Sequence, residues 1–175
     1  MKFKITLKID RKYGDLLPFN YQYEQSAVIY RILAQADTQY SSWLHENGYL
    51  LHERKRFKLF CYSPFIFEKV RPLPEAGCLK IIGERAVWYI SFIPEKSTLE
   101  FIQGIFAHQS FSIGNKKYQV AFDVVGVEAI PMPQLSEEMT FVALSPICVK
   151  LHEDNKTQYL SPDNPMFAEG VLKGL

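Results

Sequence analysis

The residues of this 175-residue chain best suited to chemistry crowd into one short stretch, His52-Glu53-Arg54-Lys55-Arg56-Phe57-Lys58. Four cations in so few positions suit a polyanion, because guanidinium and ammonium groups hold phosphate oxygens. His52 adds a side chain that can take or give a proton near neutral pH. Three more histidines are spread along the chain at His45, His108 and His152. His108 falls where a helix should end, a place that mildly favours a cation, and His152 falls in a polar turn, so both read as incidental. The carboxylates are dispersed, and Cys61, Cys78 and Cys148 have neither paired nor regular spacing. That pattern predicts no metal-nuclease centre, no zinc site, no disulfide framework and no cofactor; the cysteines read as buried small hydrophobes.

Charge is unevenly divided. Residues 1–73 carry 12 Lys/Arg against 7 Asp/Glu, and the remainder 8 against 12, so a formal net charge of +1 conceals a basic first part and an acidic second. Tyr21, Tyr23, Tyr40, Tyr49 and Tyr62 all lie in the basic part. Aromatic rings stack on unpaired bases while cations follow phosphate, although an aromatic content of 14% means that most of these rings must also serve the core.

The elements that would position these residues follow from periodicity. With 47% hydrophobic and 22% charged residues, the composition is that of an ordinary soluble protein and excludes disordered and collagenous chains. The longest apolar run, 86–93, falls far short of the roughly 20 residues a bilayer crossing needs. Phe3, Ile5, Leu7 and Ile9 alternate with Lys2, Lys4, Thr6 and Lys8, which predicts a half-buried first strand and not a secretion signal, and makes the cytoplasm the expected location. Val28, Ile29, Ile32, Leu33 and Ala36 predict a helix over 24–36, and a second helix is expected over 38–46, capped by Asp37 and stopped by Asn47-Gly48. Strands are expected over 57–62, 65–70, 78–82 and 87–93 as a meander, then a helix over 94–108 and strands over 110–113 and 117–130. This order predicts an α+β, ferredoxin-like (βαββαβ) domain over 1–130 with an antiparallel sheet. Pro131-Met132-Pro133 opens a linker over 131–137, and 138–175, with a strand over 141–151 and a helix from Met166, reads as the start of a second, truncated ferredoxin-like domain.

Four segments in register resemble a known family. They are Leu17-Pro18-Phe19-Asn20-Tyr21 leading into Ala27-Val28-Ile29-Tyr30-Arg31; Trp43-Leu44-His45-Glu46-Asn47-Gly48-Tyr49; Arg56-Phe57-Lys58-Leu59-Phe60-Cys61-Tyr62-Ser63; and Phe141 through Val149. They resemble the CRISPR-associated endoribonucleases that process precursor CRISPR RNA, members of the repeat-associated mysterious protein superfamily. The resemblance implies two tandem ferredoxin-like domains and metal-independent cleavage of repeat RNA. The 2′-hydroxyl attacks the adjacent phosphate, leaving a 2′,3′-cyclic phosphate and a 5′-hydroxyl. The family's C-terminal glycine-rich loop has no counterpart in these residues.

By match to the family's motifs, Tyr30, His45 and Lys58 are the catalytic candidates, with Arg31, Arg54, Lys55 and Arg56 as RNA contacts and His52 as an alternative acid or base. Position alone allows plainer roles: Tyr30 at the edge of the core, His45 solvated at a helix end, Lys58 facing solvent from a strand. The implied partner is CRISPR repeat RNA, with other interference subunits or a second copy of the chain left open and no membrane. Two other readings remain: a non-catalytic RNA-binding paralogue or remnant, and a ferredoxin-like regulatory domain that binds a metabolite.

Overall fold

The computed structural model describes residues 1–52, 55–140, 142–143, 147–153 and 156–174, apart from the side chains at 51, 52, 55, 152, 153, 173 and 174. Arg54 and the side chains of His52 and Lys55 therefore lie outside the described residues. The chain divides into two compact units, Met1–Pro133 and Gln134–Leu175. No helix among the described residues is long and apolar enough to cross a membrane.

The first unit runs β1 (Lys2–Asp10), β2 (Leu16–Pro18), α1 (Gln22–Ala36), α2 (Thr38–Glu46), β3 (Tyr49–His52), β4 (Lys55–Phe57), β5 (Phe60–Tyr62), β6 (Ile66–Phe67), β7 (Val70–Leu73), β8 (Cys78–Ile81), β9 (Arg85–Phe92), α3 (Glu95–Ala107), β10 (Ser110–Gly114) and β11 (Gln119–Ile130). The alternation in β1 buries Phe3, Ile5, Leu7 and Ile9, so this strand takes the centre of a mixed α+β architecture. It pairs antiparallel with β9 on one side and β11 on the other. The main sheet has the order β10-β11-β1-β9-β5, with β6 also on β9. The chain from β1 through α1 and α2 thus re-enters the sheet at β5 on the far side of β9, and the crossover from β9 through α3 passes β1 and β11 to reach the edge strand β10, which returns as β11 between β10 and β1.

Helices α1 and α3 cover the face carrying Trp88 and Phe92. Phe101 of α3 packs 5.0 Å from Phe92 and 6.4 Å from Trp88, ring centre to ring centre. Helix α1 places Val28, Ile29, Ile32 and Leu33 in the same buried cluster. The two helices meet at Gly104, where an added Cβ would lie 1.9 Å from the Ile32 carbonyl oxygen. Only a hydrogen at that position lets the backbones approach so closely.

Several expectations need correction. The strand over 57–62 is broken: Lys58 and Leu59 are not extended, and Leu59 adopts φ +56. The segment over 65–70 shortens to β6. The meander is not continuous either, because β7 and β8 leave the main sheet and join β2 in a separate three-stranded sheet. Cys61 and Cys148 are exposed and Cys78 alone is buried; Cys61 lies on edge strand β5, opposite Ser91.

In the second unit, β12 (Val149–Glu153) and β13 (Lys156–Leu160) form a hairpin followed by α4 (Pro165–Gly174). The strand expected over 141–151 is not seen at 142–143 or 147–148, since pairing begins only where Val149 meets Leu160. The remainder of that expected strand before Val149 lies outside the described residues.

Gly104→Ala tests the helix contact. Although alanine favours a helix by about 1 kcal/mol over glycine, its methyl group must push α1 and α3 apart. The expected outcome is a net loss of about 1–3 kcal/mol, read as a fall in Tm by thermal unfolding.

Candidate RNA-processing site

Tyr30 reaches the site because α1 has two faces. Its neighbours Ile29 and Ile32 point into the core, while the Tyr30 ring, half-buried, turns toward α2 and β5. The ring stands edge-on to His45, with centres 4.9 Å apart and planes at 83°, and it also packs against Phe60 at 5.7 Å. The Ser41 hydroxyl donates to the Tyr30 carbonyl at 2.8 Å, which ties the two helices together just behind the ring.

Helix α2 carries His45 in its last turn. Its start is fixed as the sequence suggests: the Asp37 carboxylate accepts from the Tyr40 N–H at 2.8 Å and pairs with Lys96 at 3.1 Å, interactions that hold its pKa below the usual carboxylate value. Its end is closed by residues that come later in the chain. The Lys58 ammonium donates to the Leu44 carbonyl at 2.6 Å and also to the carbonyl of His45 itself. The Arg56 guanidinium donates to the Asn47 side-chain oxygen at 3.2 Å. Cations here satisfy carbonyls that a helix end leaves unpaired and oppose the negative end of its dipole.

Two backbone positions allow this closure. Gly48, at φ +70, donates to the Trp43 carbonyl at 3.2 Å, and an added Cβ would stand 2.7 Å from the Phe57 carbonyl oxygen. Beyond Lys58, the left-handed turn at Leu59, costly for a branched side chain, redirects the chain into β5. The Leu59 carbonyl is held there by the Ile93 N–H at 3.0 Å. Lys58 therefore sits in a break between strands and is half-buried, not a solvent-facing lysine on a strand.

Electrostatics separate the three groups. Burial, reinforced by Tyr62, raises the Tyr30 hydroxyl above its ordinary pKa, so the phenol stays protonated and is a poor base. Burial and the nearby Arg56 push the Lys58 ammonium down. His45 is exposed at the end of its helix. Among the described residues, neither the Tyr30 hydroxyl nor the His45 imidazole nitrogens have a hydrogen-bond partner. The cluster thus offers a proton donor, an imidazole and a cation with two of its three N–H bonds committed.

The structure brings Tyr30, His45, Lys58 and Arg56 into one neighbourhood. It does not bring Arg31 there: Arg31 is exposed and donates to the Ser112 carbonyl at 3.1 Å on β10, the sheet edge opposite β5. Sequence reasoning missed Phe60 as the ring beneath Tyr30 and Leu59 as the turn that aims Lys58. No periodic signal marks either one. Among the described residues, no group of three or more His, Cys, Asp or Glu side chains could hold a metal ion.

The sequence model of the family described as CRISPR-associated protein Cas6, N-terminal, matches residues 16–123. The chain belongs to this Cas6 family. It is 27% identical over 176 residues to CRISPR-associated endoribonuclease Cas6 1 of Methanocaldococcus jannaschii, covering 98% of this chain and 63% of that protein. It is 26% identical over 178 residues to the putative CRISPR-associated endoribonuclease-like protein Cas6nc of Pyrococcus horikoshii, covering 99% and 68%. A solved structure characterising a Cas6-related gene from Pyrococcus furiosus superposes with a TM-score of 0.77 at 25% identity, over 99% of this chain and 67% of that one. Another, described as an RAMP protein binding different RNA substrates, gives a TM-score of 0.75 at 25% identity over 99% and 68%. The chain therefore spans about two thirds of the length of these Cas6 relatives.

Lys58→Met tests the helix closure. It removes the charged donor from the Leu44 and His45 carbonyls, and a loss of about 1–3 kcal/mol is expected. The expected readout is a lower Tm together with faster amide exchange at Glu46, Asn47 and Gly48, where the last turn frays.

Proposed function

We propose that this chain cleaves CRISPR repeat RNA by attack of a 2′-hydroxyl on the adjacent phosphate. The observation that carries this reading is the shared placement of three groups: the Tyr30 and His45 rings touch, and the Lys58 ammonium rests on the carbonyl of His45 itself. The reaction needs a base, an acid and a cation, and the physical state of each side chain suggests its role. His45 accepts the 2′-hydroxyl proton as the O2′–P bond forms. Tyr30, kept protonated by its surroundings, gives its proton to the 5′-oxygen as the P–O5′ bond breaks. The imidazolium then returns a proton to the phenolate, and both groups are reset.

Lys58 offsets charge building on the phosphorane with its remaining N–H, while its other two bonds hold the end of the helix that carries the imidazole. Each acid or base of this kind contributes about 10²–10⁴-fold, and electrostatic stabilisation adds to that. Arg56 continues the positive surface past Asn47 and suits a flanking phosphate. Arg54 and Lys55 are assigned the same phosphate contacts from the sequence, and Arg31 would meet RNA only along the β10 side. His52 is held in reserve as an alternative acid or base.

The strand order β11-β1-β9-β5, antiparallel throughout, supports a ferredoxin-like reading of the first unit. The hairpin and helix of the second unit, over 138–175, are read as belonging to another such domain. Reading the chain as a holder of repeat RNA without cleavage draws on the relative named Cas6nc, whose name marks it only as endoribonuclease-like.

A labelled repeat transcript incubated with the protein in chelator separates these readings. Cleavage to a 2′,3′-cyclic phosphate end is expected, with His45→Ala lowering the single-turnover rate by about 10²-fold or more and changing RNA affinity little. Binding without any product would favour the holder instead.

The pH profile tests the division of roles. The rate should fall as the Lys58 ammonium deprotonates, at a pH below the ordinary lysine value because that pKa is pushed down. The Tyr30 hydroxyl, pushed up, should still be protonated there. Lys58→Arg should therefore move the falling limb to higher pH, whereas an unmoved limb would take Lys58 out of the charge-stabilising role.

A further inference from the structure

The hairpin of β3 and β4 forms a two-stranded sheet of its own, apart from both larger sheets, and runs directly into Lys58. A lone hairpin is marginally stable in water, so its place on the molecule is set by what its side chains grip. Arg56 and Lys58 grip the end of α2, but phosphate would compete for both cations. Tyr49, the first residue of β3, grips a different point. Its hydroxyl lies 2.9 Å from the Tyr40 hydroxyl on α2, which is bonded in turn to the Ser97 hydroxyl on α3. Ser97 is wholly buried and Tyr40 nearly so, and burial raises the Tyr40 pKa, which keeps that link protonated. The Trp43 ring closes the cluster, stacked on Tyr40 at 5.8 Å and edge-on to Tyr49 at 5.0 Å.

Two contacts carry this anchor to the cation. Across the hairpin, Tyr49 is paired with Phe57, the residue immediately before Lys58. At the foot of β3, Gly48 lies beneath the Lys58 stem, so close that an added Cβ would stand 3.2 Å from its Cδ. A displacement of Tyr49 therefore moves both the backbone from which the Lys58 side chain departs and the surface along which it runs. The ammonium reaches the Leu44 carbonyl at 2.6 Å, and a hydrogen bond weakens steeply once its length and angle depart from their narrow optimum.

We infer that Tyr49 is a positioning residue for the reaction proposed above: its hydroxyl, held by Tyr40 and Ser97, docks the hairpin on α2 so that the Lys58 ammonium meets the last turn. The bearing on cleavage rests on that reading, whereas the docking itself does not. Tyr49 acts through Lys58 and is given no contact with RNA.

Tyr49→Phe deletes one oxygen, leaves the ring beside Trp43 and leaves Tyr40 bonded to Ser97. In the whole chain without RNA, amide exchange at Tyr49, Leu50, Arg56, Phe57 and Lys58 should quicken about tenfold, the worth of one hydrogen bond, while β1 and β9 exchange as before. Quickening spread equally over β1 and β9, or none in the hairpin, would overturn the docking. With a repeat transcript, the single-turnover rate should fall about tenfold at unchanged RNA affinity, and should fall no further when the same change is made in a Lys58→Met chain. A second loss in that background would mean that Tyr49 acts otherwise than through Lys58, and would overturn the inference. Ser97→Ala, which frees the far end of the line of hydroxyls, should quicken the same amides and keeps the test in force even if Tyr49→Phe fails to fold. A chain that cuts no transcript yet shows the local change in exchange would uphold the docking and sink the reaction. One whose cutting is indifferent to Tyr49→Phe would sink the inference and spare the reaction.

Discussion

The candidate site depends on how one short helix ends. A nine-residue helix has too few internal hydrogen bonds to hold its last turn unaided, yet the last turn of α2 carries the exposed imidazole. The Lys58 ammonium on the carbonyls of Leu44 and His45 supplies what the helix lacks. The same contact fixes the cation beside the imidazole, so closing the helix and assembling the site are one event. Gly48 and Leu59 make that closure geometrically possible, one by tolerating a left-handed turn and the other by enduring it.

The first unit supplies a stiff support for this arrangement. Phe92, Phe101, Trp88, Phe65 and Phe122 form a continuous aromatic core between the sheet and its helices. Tyr30 stands on the edge of that core through Phe60, which itself packs on Phe92. At the start of α2, the Tyr40 hydroxyl is bonded to those of Ser97 and Tyr49, and burial raises its pKa. Both ends of α2 are thus tied to elements distant in sequence, and the imidazole inherits their rigidity.

How much of this could be read beforehand depended on how local the cause was. The first strand, the helices over 24–36, 38–46 and 94–108, and the Asp37 cap follow from periodicity and nearest neighbours, and they appear close to their expected bounds. What depended on a distant partner could not be read. Lys58 looked like one member of an alternating strand because Phe57, Leu59 and Cys61 suggested one. The break arises instead from the carbonyls of α2 and from the Ile93 N–H. The separate sheet of β2, β8 and β7 was hidden for the same reason, since three residues at 16–18 carry too little pattern to announce a strand. The membership of Tyr30, His45 and Lys58 in one site came from family likeness and not from spacing.

The most direct measurement of the central claim is a crystal structure of the chain bound to repeat RNA with a 2′-deoxy sugar at the cleaved nucleotide, which removes the nucleophile and preserves the complex. The account predicts the scissile phosphate within about 3 Å of the Lys58 ammonium, with the His45 ring toward C2′ and the Tyr30 hydroxyl toward O5′. A scissile phosphate bound on any other surface, with these three side chains untouched by RNA, would contradict it.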